Sequence, residues 1–136
     1  MMSDECGMMF GMMNDEGRPW DILERTKEFA LRIIRLFGAL PKTTEARVIG
    51  RQVLRSGTSV GAQLREGKRS RSDAEMISKT ESALQELEET AYWRELLMES
   101  GMVDADMLTG LRNEADQLTA ILVTSARTLK SRGSKR

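Results

Sequence analysis

Residues 47–69, RVIGRQVLRSGTSVGAQLREGKR, decide whether the middle of this chain is a loop or a helix. Glycines and small hydroxyl residues between arginines suggest a loop that binds phosphate. Such a loop has the spacing Gly-x-x-x-x-Gly-Lys-Ser/Thr and follows a strand, and this stretch has neither feature. On a helical wheel at about 100° per residue, the segment separates into three stripes. We therefore predict a helix.

The three stripes of this helix differ in chemistry. The apolar stripe, which should face the core, contains Ile49, Val53, Val60 and Leu64. The cationic stripe on nearly the opposite side contains Arg47, Arg51, Arg55, Arg65 and Arg69. The narrow strip between them contains Gly50, Gly57 and Gly61. Each glycine costs roughly 1 kcal/mol relative to alanine in a helix interior. We therefore expect the strip to allow close packing of a neighbouring helix, with a direct ligand role as the alternative.

Caps and apolar periodicity predict three further helices. Asp21 begins the first helix and Pro41 ends it; its apolar positions are Ile22, Phe29, Ile33, Leu36 and Leu40. Ser72 begins the third helix and Gly101 ends it; its predicted core face is Ile77, Thr80, Leu84, Leu87 and Ala91. Asp104 caps the fourth helix, and its seam of residues three and four apart is Leu108, Leu111, Ala115, Leu118, Leu122, Ser125 and Leu129.

Four long helices joined by short links predict an all-α protein, an antiparallel up-and-down four-helix bundle. We place the bundle at residues 20–131. A flexible N-terminal extension at 1–19 precedes it, and a basic C-terminal tail at 132–136 follows it.

Composition narrows the class of function. The 136 residues include no histidine and a single cysteine, so the commonest general base, the commonest metal ligand and any nucleophile–histidine pair are missing. The glutamates of the third helix spread around it instead of converging, and we expect no enzyme, no cofactor and no metal site. No apolar run approaches 18 residues and the N-terminus lacks a secretory pattern, which predicts a cytoplasmic protein outside the membrane.

The net charge of zero conceals a separation of charge along the chain. Between Arg47 and Arg71 there are seven bases and one acid, whereas between Asp73 and Glu99 there are eight acids and two bases. The row of cations either binds the phosphate backbone of a nucleic acid or is a solvated face, partly paired with the acidic third helix. The predicted nucleic-acid contacts are Arg47, Arg51, Arg55, Arg65, Lys68, Arg69, Arg71, Arg127, Lys130 and Arg132.

A second apolar group lies near the end of the third helix, outside its predicted core face. It consists of Tyr92, Trp93, Leu96 and Leu97. One seam cannot bury both groups, and large aromatic residues are enriched at subunit contacts. We therefore predict an oligomer interface here, with burial on two sides within one chain as the alternative.

Three segments carry a family resemblance: QVLRSGTSVG at 52–61, Glu66 with RSRSDAEMISK at 69–79, and LQELEETAYW at 84–93. Over about residues 22–130 the chain resembles the four-helix bundle proteins of the 23S rRNA intervening-sequence family, which includes accessory variability proteins of diversity-generating retroelements. The resemblance implies a bundle commonly assembled as a homopentamer, without known catalytic activity. For the retroelement branch it implies binding of a reverse transcriptase and of template RNA through basic surfaces.

Two functions follow as alternatives. The first is a non-enzymatic, oligomeric accessory protein that binds RNA or DNA and a reverse transcriptase. The second is a structural or protein-interaction scaffold, in which the basic helix of one subunit meets the acidic helix of another in a ring.

Overall fold

A computed structural model of the chain describes residues 21–134, and all of its regular structure is helical. The helices are α1 (Ile22–Ala39), α2 (Thr44–Lys68), α3 (Asp73–Glu99) and α4 (Ala105–Ser134). Side-chain caps begin the first three helices, because oxygens of Asp21, Thr43 and Ser72 accept hydrogen bonds from backbone N–H groups of the first turn. The caps at Asp21 and Ser72 are the predicted ones. Beyond α3, Gly101 has φ +76°, a conformation that favours glycine.

Each helix runs antiparallel to its neighbours in the order α1, α2, α3, α4. The Ser56 and Thr90 hydroxyl oxygens of α2 and α3 lie 2.8 Å apart. Between α3 and α4, the Lys130 ammonium pairs with Glu81 at 2.9 Å. The fold class is thus confirmed: the chain is an antiparallel up-and-down four-helix bundle.

A polar cluster joins α1 to α4 across the least extensive of the four interfaces. The Arg25 side chain is almost fully buried, and its Nη2 lies 2.6 Å from Glu114 Oε1 and 2.9 Å from Gln117 Oε1. Its Nε donates to the second oxygen of Glu114 at 3.1 Å. Further along, Arg32 Nη1 donates to the carbonyl oxygen of Gly110 at 3.0 Å. These bonds close the ring of four helices.

The core follows the predicted apolar stripes in α1 and α4. All five predicted positions of α1 are buried, and so are all seven of α4, from Leu108 to Leu129. Ser125 is fully buried and donates to the carbonyl oxygen of Ile121 at 2.9 Å. In α2 three of the four predicted positions are buried, while Ile49 is only partly covered.

The predicted core face of α3 is correct at Thr80 and Leu87 and wrong at its other three positions. The buried residues of this helix are Thr80, Ala83, Leu87, Thr90, Arg94 and Leu97. The predicted positions Ile77, Leu84 and Ala91 lie at the edge of the buried surface and are only partly covered. Threonine can occupy the buried centre because its hydroxyl bonds to a backbone carbonyl one turn earlier, as in the 2.8 Å bond from Thr80 to Met76.

The glycine strip of α2 lies directly against α1. A Cβ built at Gly57 would lie 2.8 Å from Ile33 Cγ1, and one at Gly50 would lie 2.5 Å from Leu40 Cδ1. Both distances are shorter than van der Waals contact, so the two backbones approach more closely than any larger residue would permit. Without such a neighbour, three glycines would only weaken the helix.

The two ends of the chain are described only in part. The extension at 1–19 lies outside the described residues. Helix α4 continues to Ser134, so the described part of the predicted tail is helical. None of the four helices between residues 21 and 134 carries an apolar stretch of the length that a membrane crossing requires.

Candidate nucleic-acid interface

The predicted cationic stripe lies on the outer surface of α2 and continues into the link to α3. All of its members are exposed. Thr58 and Ala62 interrupt it on the same side of the helix, so the cations form two groups. The N-terminal group is Arg47, Arg51 and Arg55, and the C-terminal group is Arg65, Lys68, Arg69 and Arg71. At 1.5 Å rise per residue, Arg51 and Arg65 are separated by about 21 Å along the helix axis.

Arg55 differs from the other cations of the stripe because it is bound to α3. Its guanidinium forms an ion pair with Glu89 and lies 3.7 Å from Glu86. Its Nε also donates to Gln52 Oε1 at 3.4 Å. A nucleic acid would have to compete with these carboxylates for Arg55. The structure therefore separates this residue from the set of freely available cations.

The other cations of the stripe remain available for a ligand. Across residues 21–134, no ion pair or side-chain hydrogen bond engages them. They are Arg47, Arg51, Arg65, Lys68, Arg69 and Arg71. The one acid within the stripe, Glu66, binds Lys79 of α3 at 2.8 Å and so contributes to the α2–α3 interface.

The basic residues predicted near the C-terminus lie on α4 beside α3. Lys130 pairs with Glu81 at 2.9 Å, and Arg132 lies 3.8 Å from Asp73. Only Arg127 of these three is exposed without an ion pair among the described residues. The acids of α3 are thus used in part within one chain, by α2 on one side and by α4 on the other. The charge reversal along the sequence is correspondingly smaller on the folded surface.

A pocket at the corner between α1 and α2 adds a cation that sequence reasoning missed. This corner pocket has a volume of about 300 Å³ and is lined by Phe37, Gly38, Leu40, Pro41, Lys42, Ala46, Arg47 and Arg51. Lys42 lies in the link between the helices, outside any periodic pattern. Only the turn from α1 into α2 places it beside the two arginines. The lone signal in the sequence was a lysine next to Pro41.

A second cavity of about 380 Å³ lies between α1 and α4 at the same end of the bundle. Arg32 and Arg35 line it, together with Asp106 and Met107. These two arginines were also missed. On α1 alone they are indistinguishable from the solvated face of an amphipathic helix.

The four residues predicted at an oligomer interface do not share one environment. Leu97 is fully buried in the core of the chain, which removes it from any subunit contact. Tyr92 is 54% exposed, and its ring meets that of Trp93 edge to face at 5.1 Å between centroids. Trp93 and Leu96 are partly covered. The Trp93 indole N–H is buried and has no acceptor within residues 21–134.

A family model for 23S rRNA-intervening sequence proteins matches residues 18–124. The chain belongs to this family. A crystal structure of a protein of unknown function from Bacteroides thetaiotaomicron, described as a member of the S23 ribosomal protein family, is similar in sequence and in fold. The identity is 33% and the TM-score 0.74, over 78% of this chain and 95% of that chain. No curated protein sequence is significantly similar.

Family membership agrees with the four-helix bundle and adds no assigned chemistry. The similar crystal structure is itself described as having unknown function. Across residues 21–134, no three His, Cys, Asp or Glu side chains come together as a metal-binding group. The exposed cations of α2 are therefore the feature from which a function has to be argued.

Proposed function

We propose that this protein is a non-enzymatic, oligomeric accessory protein that binds nucleic acid, RNA in particular, through the outer surface of α2. The observation that carries the proposal is the set of exposed cations without an intramolecular partner at both ends of this helix. Solvated arginines usually find carboxylates nearby, and Arg55 has done so. The remaining cations keep their charge free for phosphates.

The spacing of the cations suits a polyanion better than a small anion. The N-terminal and C-terminal groups are about 21 Å apart from Arg51 to Arg65, which exceeds the reach of a single phosphate. Duplex nucleic acid carries one charge per about 1.7 Å of axis, so a strand or a duplex laid along α2 would engage both groups at once.

Binding of a structured RNA should be measured as a function of salt for the wild type and for the Arg47→Glu/Arg51→Glu variant. Both arginines are exposed and unpaired among the described residues, so the variant should fold normally. We expect wild-type affinity to fall steeply between about 50 and 200 mM salt. In the variant, affinity should fall at least tenfold, and the slope of log K against log salt should decrease by about 1.5, because two phosphate contacts are lost.

The matched control is Lys27→Glu/Arg112→Glu, which makes the same change in net charge on α1 and α4. Both side chains are exposed and lie outside the stripe, and each makes only a local ion pair on its own helix, Lys27 with Glu24 at 3.2 Å and Arg112 with Asp116 at 3.9 Å. An equal loss of RNA affinity in the control and the test variant would show that net charge alone causes the loss. Absence of wild-type binding at low salt would refute the proposed function.

The oligomeric part of the proposal rests on the exposed side chain of Tyr92. This side chain is 54% exposed, and its ring meets that of the partly covered Trp93 edge to face. Large aromatic residues are enriched at subunit contacts. A homopentamer is the assembly that the family resemblance implies. Tyr92→Ala should lower the mass measured by light scattering; a monomeric wild type would contradict the oligomer.

A reverse transcriptase as protein partner is supported by the resemblance of residues 52–61 and 84–93 to the family that includes the retroelement branch. Its test is to sequence the genes beside this one and, where one encodes a reverse transcriptase, to copurify the two proteins. An untagged complex that survives gel filtration would support the partner. Failure to copurify at low salt would contradict the reverse transcriptase as a partner and would leave the proposed RNA binding unchanged.

A scaffold without a nucleic-acid role is the second candidate. One observation favours it: exposed acids of α3, Glu88 and Glu95 among them, have no ion pair between residues 21 and 134 and could meet the arginines of a second copy. In that case Arg47→Glu/Arg51→Glu would dissociate the oligomer in light scattering. In the RNA-binding function the variant keeps its mass and loses only its affinity for RNA.

A further inference from the structure

The corner pocket combines an apolar floor with a cationic rim. Phe37, Leu40 and Pro41 provide the apolar lining, while Lys42, Arg47 and Arg51 provide three positive charges. None of the described residues that line it is acidic. The three cations are exposed and have no ion pair within residues 21–134. The pocket therefore favours a ligand with one flat or apolar part and at least one negative charge.

The volume of the pocket limits the size of that ligand. About 300 Å³ is at the lower end of the range for small-molecule sites. Such a space holds one ring system with a neighbouring phosphate and excludes a base pair. The aromatic lining residue Phe37 is half-buried, and its ring lies so near Gly50 of α2 that a Cβ built there would be 3.1 Å from Phe37 Cδ1. An aromatic side chain is the usual stacking partner of an unpaired base.

Two of the pocket's three cations also belong to the stripe on α2. Arg47 and Arg51 form the rim of the pocket and the start of the row that leads towards Arg65. A strand whose phosphates follow this row therefore passes the mouth of the pocket. We infer that the corner pocket receives a single unpaired nucleotide of the bound RNA, with its base on the apolar floor and its phosphate among the three cations. This inference rests on the proposed function and specifies the ligand as single-stranded or bulged RNA.

Gly38 allows the pocket to be filled without disturbing the fold. It lines the pocket from the last turn of α1, and a Cβ built there meets no atom within 4 Å. Gly38→Leu should therefore occupy the pocket while improving helix propensity. The matched control is Gly133→Leu, the same exchange in the last turn of α4, where an added Cβ also meets nothing within 4 Å. Thermal unfolding of both variants checks that they fold like the wild type.

The experiment measures fluorescence anisotropy of three labelled probes: a short single-stranded oligoadenylate, the same strand paired in a duplex with oligouridylate, and inorganic polyphosphate. For Gly38→Leu, we expect roughly tenfold weaker binding of the single strand, because the stacking of one base is lost. Binding of the duplex and of polyphosphate should stay as in the wild type. Gly133→Leu should match the wild type on all three probes.

The outcomes separate this inference from the proposed function. If Gly38→Leu binds the single strand as tightly as the wild type does, the pocket holds no base and the inference is overturned, while RNA binding along α2 stands. If Gly38→Leu binds polyphosphate and the single strand with equally reduced affinity, the pocket binds phosphate alone and the inference again fails. If the wild type binds none of the probes at low salt, the proposed function fails and the inference with it.

Discussion

The two faces of α2 meet their neighbours by opposite means. Towards α1, Gly57 lies against Ile33 at a distance that leaves no space for a Cβ. Towards α3, the Ser56 hydroxyl meets Thr90 at 2.8 Å, and charged residues on the rim of the interface pair across it. Close packing against glycine distinguishes the first interface, and a hydroxyl pair with flanking ion pairs distinguishes the second. One helix thus carries two interfaces that should fail under different substitutions.

The difference follows from how each kind of contact depends on distance. Close packing leaves no tolerance for added atoms, and overpacking forces backbone shifts. Hydroxyl pairs and exposed ion pairs tolerate small movements, and each contributes little net free energy because water competes for the same groups. We therefore expect volume changes on the α1 side to be far more damaging than polar changes on the α3 side.

Gly57→Leu should produce the largest effect. A Cβ at this position would already lie within 3 Å of two Ile33 atoms, so the longer side chain has to push α1 away from α2. We expect the free energy of unfolding, measured with urea, to decrease by about 3 kcal/mol. Gly133→Leu is the control, because its Cβ meets nothing within 4 Å. A comparable loss in both variants would mean that close packing at Gly57 is not the cause.

Removal of the buried hydroxyl pair should have an intermediate effect. Ser56 and Thr90 each lie within hydrogen-bonding distance of a carbonyl oxygen one turn earlier, at 2.9 and 2.7 Å, and of each other. Two hydroxyl protons cannot serve all three contacts at once. We expect Ser56→Ala and Thr90→Val each to cost about 1 kcal/mol of unfolding free energy. The double variant should cost less than the sum of the two; strict additivity would show that the hydroxyls are not coupled.

The smallest effect on stability should come from the ion pairs of Arg55. Glu86→Gln/Glu89→Gln removes both carboxylates, and we expect a loss below about 1 kcal/mol because the guanidinium side chain is 51% exposed. The released Arg55 should then bind phosphate, and RNA affinity at low salt should rise several-fold.

The control for this last prediction is Glu88→Gln/Glu95→Gln. It changes the net charge of α3 equally at exposed positions that make no ion pair within residues 21–134. A larger gain in RNA affinity for the test variant than for the control would assign the effect to Arg55. Equal gains would assign it to net charge.

Sequence reasoning was most successful where one physical cause determined the outcome. All seven predicted positions of the α4 seam are buried, because large apolar residues at three- and four-residue spacing define one side of the helix, and Ile121 and Ala126 beside them are buried as well. In α3 the same reasoning placed part of the core face wrongly, because Thr90 and Arg94 are polar residues and are nevertheless buried in the fold. A threonine whose hydroxyl bonds to a backbone carbonyl of its own helix can be buried, but a hydrophobic pattern does not distinguish it from an exposed threonine.

The candidate site was predicted only in part, because ion pairs and pockets depend on which helices become neighbours. The row of arginines on α2 was evident from the spacing of these residues. Its exposure could be predicted because the row lies opposite the apolar stripe of the same helix. Arg55 pairs with α3 only because α2 and α3 are neighbours. Lys42 joins Arg47 and Arg51 around the apolar lining only because the chain turns from α1 into α2 at this corner. The sequence of a single helix does not determine which other helix packs beside it.

The buried cluster at Arg25 determines the register of α4 along α1. Leucine seams are interchangeable, so α4 displaced along α1 by one turn, about 5.4 Å, would still find apolar neighbours. The Arg25 guanidinium bonds both Glu114 and Gln117, three residues apart on one face of α4, at 2.6 and 2.9 Å. A displaced α4 would leave that buried charge without its carboxylate, at a cost of several kcal/mol. One directional contact thus selects a single register from several that the hydrophobic effect alone would accept.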